Sequence, residues 1–196
     1  MARKGPVCTD TTTIALGLAQ IRVLASAANI GKINKQGSSS DSIGSLANTK
    51  FIGGADYFNL EGGFPLINEF TTAIRESASM ECSWRELTPF NMAMSYGIDP
   101  TSGYDTAHSG EVALDGRTAP AYVRMEALYT YPDGTNTMSI IFPRAQVKSS
   151  LEVDLQSEDA AAVPVTFESM NASSDVSGGD AVWDDMPLGR IYWEDA

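Results

Sequence analysis

The sequence predicts a mainly β protein, an antiparallel β-sandwich or partial barrel with one short flanking α-helix and long loops. Residues Arg144–Gln156, RAQVKSSLEVDLQ, alternate polar with apolar or small side chains, which is typical of a strand with one wet and one dry face. Asp133-Gly134 separates two further strand-like runs, as in a two-residue hairpin turn. Only one segment carries both the start and the stop signals of a helix.

The N-terminal part is predicted to form an arm, a strand and a long loop. Gly5-Pro6 breaks regular structure in residues 1–12, and a strand follows over about residues 17–24. Residues 28–48 are rich in Gly, Ser and Asn. A loop of this length in a compact domain is usually either disordered or functional, and its functional form is a contact loop that reaches another subunit.

Short strands are predicted before the helix. Glycines and serines mark their ends, which gives strands at Thr49–Gly53, Asp56–Leu60, Phe70–Glu76 and Met80–Leu87, with turns at Gly53-Gly54, Glu61–Pro65 and Ser77–Ser79. The helix covers about residues 88–97, because Thr88 can cap it, Pro89 suits its first position and Gly97 ends it.

The C-terminal half is predicted to continue as strands within the same domain, which spans residues 1–196. Pro143 interrupts the chain before the long alternating strand. The remaining strands are Glu111–Asp115, a hairpin of Ala121–Pro132 with Thr135–Phe142, Val163–Met170 and Leu188–Trp193.

Charge and hydropathy exclude some classes of protein. The net charge is −12, with a basic N-terminal quarter and a strongly acidic C-terminal quarter, so the chain does not bind nucleic acid by neutralising phosphates. This asymmetry serves either solubility or the head-to-tail assembly of copies. No apolar run of about 18 residues predicts a membrane span, and no signal peptide is recognised, so we expect folding in a cytoplasm.

Candidate catalytic and metal-binding groups are few, so the sequence predicts neither an enzyme nor a cofactor. The single histidine, His108, lies in a polar loop and is expected to be solvated. The acidic pairs Glu158-Asp159, Asp184-Asp185 and Glu194-Asp195 have no calcium-loop spacing and are expected at the surface. The three tryptophans are expected in the core and at subunit interfaces rather than on a stacking platform.

Cys8 and Cys82 are the only cysteines, and two readings of them stay open. Both are free thiols, with Cys82 in a buried strand, or they form a disulfide, which requires an oxidising environment.

The order of motifs resembles that of bacteriophage tail tube proteins over about residues 13–193. The resemblance rests on turn signatures and strand order, namely SIGSL at 42–46, TKFIG at 49–53, EGGFP at 61–65, ELTPFNMA at 86–93, FPRAQV at 142–147 and VPVTFE at 163–168. It implies hexameric rings whose strands join into one multi-subunit β-barrel. Such rings stack helically into a hollow tube, a virion component assembled in the host bacterial cytoplasm.

The resemblance also implies partners and contact residues. The tail sheath, baseplate and tail terminator are the expected partners, and genomic DNA passes through the tube without specific binding. Lys32, Lys35 and Asp41 are candidates for contacts between rings. The wet face of the long strand, with Lys148, Glu152 and Asp154, either lines the lumen or contacts a neighbouring subunit. Cys8 on the arm is placed to cross-link Cys82 of an adjacent subunit.

Three alternatives remain at the level of sequence. A tube of a contractile injection system shares the fold and the stacking. A small-molecule-binding β-barrel would need an apolar pocket and would stay monomeric. An enzyme would depend on the paired carboxylates.

Overall fold

The computed structural model describes residues 17, 19–64, 66–98, 111–112, 114, 119–132, 134–148, 150–153, 155 and 161–194. The predicted arm, Cys8, His108 and Asp154 lie outside these residues. The described helices and strands are β1 (Gln20–Ala25), α1 (Ser26–Asn29), β2 (Leu46–Gly62), β3 (Ile67–Trp84), α2 (Pro89–Ser95), β4 (Val123–Thr130), β5 (Thr137–Val147), β6 (Val163–Ser169) and β7 (Arg190–Glu194).

The seven described strands form one antiparallel sheet, which confirms the predicted class. Their order is β1-β4-β5-β6-β3-β2, β7 also pairs with β5, and the sheet is not closed. One core joins both halves of the sheet. It includes Ile21, Val23, Trp84, Met125, Phe142, Val165 and Phe167.

β5 passes through Pro143, so the prediction of a break there was wrong. One edge of β5 pairs with β4, and the other pairs first with β7, up to Ile141, and then with β6, from Ala145. Pro143 lies where the partner changes, and the register against β4 shifts at the same place. A proline fits such a bulge because its missing N–H removes no regular ladder hydrogen bond.

The predicted strand Arg144–Gln156 is therefore only partly correct. Its first residues continue β5, which ends at Val147, and the described residues beyond are not in a strand. Ala145 and Val147 are buried as the alternation predicts, but Gln146 is buried as well. Its amide donates a hydrogen bond to the Pro120 carbonyl at 2.8 Å.

The helix is as predicted. The Thr88 hydroxyl accepts a hydrogen bond from the Asn91 N–H, Pro89 is the first helical residue, and Gly97 follows the helix with φ +76°. Asn91 is buried, and its amide donates to the carbonyls of Ile43 and Glu86. These bonds fix α2 against the edge of the core.

Two other boundaries differ from the predictions. β4 and β5 form the predicted hairpin, but it closes with a hydrogen bond from the Tyr131 N–H to the Asn136 carbonyl, so its loop is longer than two residues. The described members of the predicted strand 111–115, Glu111, Val112 and Leu114, are not in a strand.

Candidate assembly surface

The largest feature of the described fold is the hairpin of β2 and β3, which contain 17 and 18 residues. The two strands pair from Leu46–Trp84 to Gly62–Ile67, where Gly63 turns with φ +82°. At ~3.3 Å per residue the hairpin is roughly 55 Å long, whereas most strands have about five or six residues. Within the predicted turn cluster Glu61–Pro65, Gly63 and Phe64 form a turn, Glu61 and Gly62 belong to β2, and Pro65 lies outside the described residues. The breaks predicted at Gly53-Gly54 and Ser77–Ser79 were wrong.

The β2 edge of this hairpin and the far part of its β3 edge are open in the described structure. β6 pairs with β3 only from Ser79 to Trp84, so residues 67–78 have β2 as their one strand partner. Among the described residues, β2 pairs with β3 alone. Open edges present unpaired N–H and C=O groups to any strand that approaches, so a long open hairpin is a site for pairing with another chain.

The near half of the hairpin turns one face to the core and the other to solvent. Phe51 pairs with Met80 on the core face, and its ring lies 6.3 Å from that of Phe142. Lys50 and Glu81 pair on the opposite face and form an ion pair at 3.5 Å. This second face is called the outer face below.

Near its tip, from Phe58 to Phe70, the hairpin has the reverse polarity. The side chains of β2 alternate between its two faces without a bulge after Asn48, so Asn59 lies on the same face as Phe51. The Asn59 side chain accepts a hydrogen bond from the Thr71 hydroxyl at 2.9 Å. Phe58, Leu60 and Phe70 lie on the outer face, and each is about half exposed. The outer face is therefore charged near the body of the protein and apolar near the tip.

The charged part of the outer face extends to β6. Glu168 pairs with Ser79 on this face, and its carboxylate forms an ion pair with the Lys148 ammonium at 2.9 Å. Of the sequence-predicted lumen candidates, Lys148 thus lies beside the outer face. Glu152 is exposed beyond the end of β5, so the structure does not bring it into the same strand.

The predicted contact loop, residues 28–48, is held to the chain's own sheet between Asn29 and Gly37. Arg124 and Glu126 of β4 are buried and form an ion pair at 2.6 Å. The Arg124 guanidinium donates to the carbonyls of Asn29, Lys32 and Asn34. The Glu126 carboxylate accepts the N–H groups of Gln36 and Gly37.

The ring-contact candidates of this segment have different settings. The Lys32 side chain is exposed. Lys35 forms an ion pair with Glu194 of the same chain. Asp41 accepts hydrogen bonds from the N–H and hydroxyl of Ser38 and so closes a short turn. No described hydrogen bond or ion pair joins any two of these three side chains.

Cys82 lies in the core, where 2% of the residue is exposed. Burial raises the pKa of its thiol from 9.0 to about 12, so the thiol stays protonated and unreactive. The cross-link to Cys8 stays a prediction, and its formation would require β3 to open.

The described residues offer little for catalysis or metal binding. Among them, no group of three or more His, Cys, Asp or Glu is arranged to hold a metal ion. Asp184 accepts hydrogen bonds from Ser174 and so stabilises a turn. Trp84 and Trp183 are fully buried and Trp193 is 62% exposed. No helix in the described ranges is long and apolar enough to cross a membrane.

Two features of the structure were not predicted from the sequence. Phe58 and Leu60 alternate with Asn59 and Glu61, but this signal was assigned to a short internal strand. Arg124 and Glu126 alternate with buried residues of β4 and therefore resembled a solvated strand face.

Comparison with known proteins identifies the family. Over its full length the chain is similar to the cryo-EM structure of the anti-feeding prophage cap, the AFP tube terminating cap, with 12% identity, 95% of that chain covered and a TM-score of 0.42. No curated protein matches it. Residues 67–178, more than half of the chain, match the family described as "Phage tail tube protein". The chain belongs to the phage tail tube protein family, a structural family of the phage tail.

Proposed function

We propose that six copies form a ring, that rings stack helically into a hollow tube, and that phage DNA passes through this tube into the host. The β2–β3 hairpin supports this proposal most strongly, because its β2 edge and residues 67–78 of its β3 edge are open and it belongs to a tail tube protein. The β2 edge of one copy pairs with the free β3 edge, residues 67–78, of the next.

This pairing joins two different edges, so it is heterologous and continues from copy to copy until the ring closes. Closure removes every open edge of the hairpins, as in a β-barrel. The length of the hairpin suits a wall, because a strand of this length in a lone subunit would leave many backbone groups without strand partners.

The charged part of the outer face suits the lumen. Lys50 and Lys148 are paired with Glu81 and Glu168, so each ammonium lies beside a carboxylate that offsets its charge. A lumen of balanced charge within an acidic protein lets DNA pass without being retained. In this proposal Glu152 and Asp154 remain candidates for the lumen or for a contact with a neighbouring subunit.

The remaining contacts belong to the same proposal. Lys32, Lys35 and Asp41 lie in the segment we assign to contacts between rings, and the exposed Lys32 is the best placed of them. The tube assembles in the host cytoplasm and meets the sheath, baseplate and tail terminator.

Shortening the hairpin tests this proposal. Residues 55–76 are replaced by Asn-Gly, which suits a two-residue turn between Gly54 and Ser77, a directly opposed pair. The core remains, so we expect cooperative thermal unfolding as in the unaltered protein. Negative-stain electron microscopy should show rings and tubes for the unaltered protein and single subunits for the variant. The proposal would be contradicted if the shortened variant formed tubes, or if the unaltered protein formed none.

A further inference from the structure

The start of α2 borders a cleft of about 440 Å³ with a mainly apolar lining, called the α2 cleft below. Its apolar side chains are Leu87, Pro89, Met92, Val112, Leu114 and Leu151. Leu87 is 41% exposed and Leu114 is 73% exposed, so the described part of the chain leaves much of this surface open to water. Apolar groups that cluster in this way mark an interaction surface.

The chain enters β1 close to this cleft. Ala19, the residue before β1, lines a cavity together with Ser45 and Leu46. The Ser45 N–H donates a hydrogen bond to the Glu86 carboxylate at 2.8 Å, and Glu86 is the residue before Leu87 of the α2 cleft. The residues that precede β1 therefore join the described fold within a few residues' reach of the cleft.

The direction of the chain changes immediately before β1. Gly17 lies in a bend and has φ +107°, a value that glycine adopts readily and other residues rarely do. β1 begins only at Gln20, so the strand does not continue back through Gly17 along the edge of β4. The preceding segment is thus released from the sheet at this point.

The preceding segment has the pattern of an extended strap with one apolar side. Residues 10–18 read DTTTIALGL, in which Ile14, Leu16 and Leu18 alternate with smaller residues. At ~3.3 Å per residue, residues 10–17 reach roughly 26 Å in extended form. This length is sufficient to cross the α2 cleft from a starting point near Leu87.

We propose that residues 10–16 occupy the α2 cleft of the same chain, with Ile14 and Leu16 among its apolar side chains. The segment and the cleft start close together, so the contact closes only a short loop, whereas a second copy would lose translational and rotational freedom on binding. The strap removes apolar surface from water and holds α2 against Val112, Leu114 and Leu151. The contact lies within one chain and does not depend on ring formation.

Cross-linking of the full-length chain tests this contact. In a Cys8→Ser background the remaining Cys82 is buried, and Leu16→Cys is combined with Leu87→Cys and treated with a short bismaleimide. Denaturing gel electrophoresis separates linked monomers from linked dimers, and mass spectrometry identifies the joined peptides. We expect linked monomers as the main product.

A second cysteine pair controls for proximity alone. Ser40 is exposed, is not part of the α2 cleft, and lies two residues from Ser42, which lines the same cavity as Ala19. Leu16→Cys with Ser40→Cys should therefore give roughly tenfold less linked monomer, because docking in the cleft holds the segment away from Ser40.

A matched pair of aspartate variants controls for docking itself. Ile14→Asp, added to the Leu16–Leu87 cysteine pair, places a charge in an apolar cleft and should lower the yield of linked monomer roughly tenfold. Thr13→Asp adds the same charge one residue away, on the other side of an extended segment, and should leave the yield unchanged. Thermal unfolding checks that both variants are folded.

A linked monomer that Ile14→Asp suppresses and Thr13→Asp does not would support the strap. Linked dimers as the main product would place the segment in the cleft of another copy and overturn the inference. Equal yields from the two aspartate variants, equal yields with Ser40→Cys, or no linked product would overturn it as well. The proposed function is unaffected by each of these outcomes.

Discussion

Arg124 and Glu126 show how a buried ion pair can organise a loop. They lie two residues apart on β4 and point away from the main core, where the strand pattern alone would place them in water. Each charged group is satisfied by its partner and by backbone groups of residues 29–37. The pair therefore holds the segment before β2 in one conformation on the sheet.

Glu126→Gln is expected to lower the free energy of unfolding by about 3–5 kcal/mol, because it leaves the Arg124 guanidinium buried without a counter-charge. Urea unfolding of the unassembled protein measures this. Glu168→Gln serves as the control, since the pair with Lys148 is partly exposed and its loss should cost less than about 1 kcal/mol. Equal effects of the two changes would show that the buried pair does not anchor the segment.

Cys82 is expected to resist thiol reagents in the folded protein. In a Cys8→Ser variant at about pH 9, the native thiol should react far more slowly than the same thiol in urea, because burial raises its pKa to about 12. The raised pKa also means that this thiol's contribution to stability is complete below pH 9.0 and is lost as pH rises toward 12. Equally rapid labelling of native and unfolded protein would exclude a buried thiol.

The elements show what local sequence predicts well. α2 was found from Thr88, Pro89 and Gly97 because capping is decided by neighbouring residues. β6 and β7 were predicted as Val163–Met170 and Leu188–Trp193, close to their observed bounds. The errors at Gly53-Gly54, Ser77–Ser79 and Pro143 have one cause. Residues that often end strands were interpreted as strand ends, whereas pairing with a neighbouring strand keeps the backbone extended there.

The candidate site was less predictable than the fold. The ion pairs Lys35–Glu194 and Lys148–Glu168 join residues far apart in sequence. The register between β3 and β6 brings the Lys148–Glu168 pair close to Lys50, and the sequence does not reveal that register. The alternation of Phe58 and Leu60 with Asn59 was readable from the sequence. That Phe58 and Leu60 lie on the face opposite to Phe51 can be seen only in the structure, where all three residues belong to the single strand β2.

In the whole molecule, the proposed tube requires the outer face to remain balanced in charge. Glu81→Lys with Glu168→Lys would leave a basic wall containing Lys50 and Lys148. Particles with this tube should release DNA more slowly at low salt and recover as salt rises, because phosphate contacts weaken with ionic strength.

The matched control is Asp175→Lys with Asp185→Lys, which changes the net charge equally at exposed residues outside the hairpin. Fluorescence of a DNA-binding dye during triggered release gives the rates. Equal rates for both double variants and the unaltered particles would show that the outer face does not meet DNA.

The open edges and the exposed Phe58, Leu60 and Phe70 also affect the subunit before any tube exists. A newly made copy already exposes the groups that join copies in the proposed tube, so collision with another copy risks disordered aggregation. Its net charge of −12 opposes such collisions at long range. Growth is then expected to show a lag, in which rare nuclei form slowly and each later addition is fast, so that tube length is set by what starts and stops growth rather than by subunit supply.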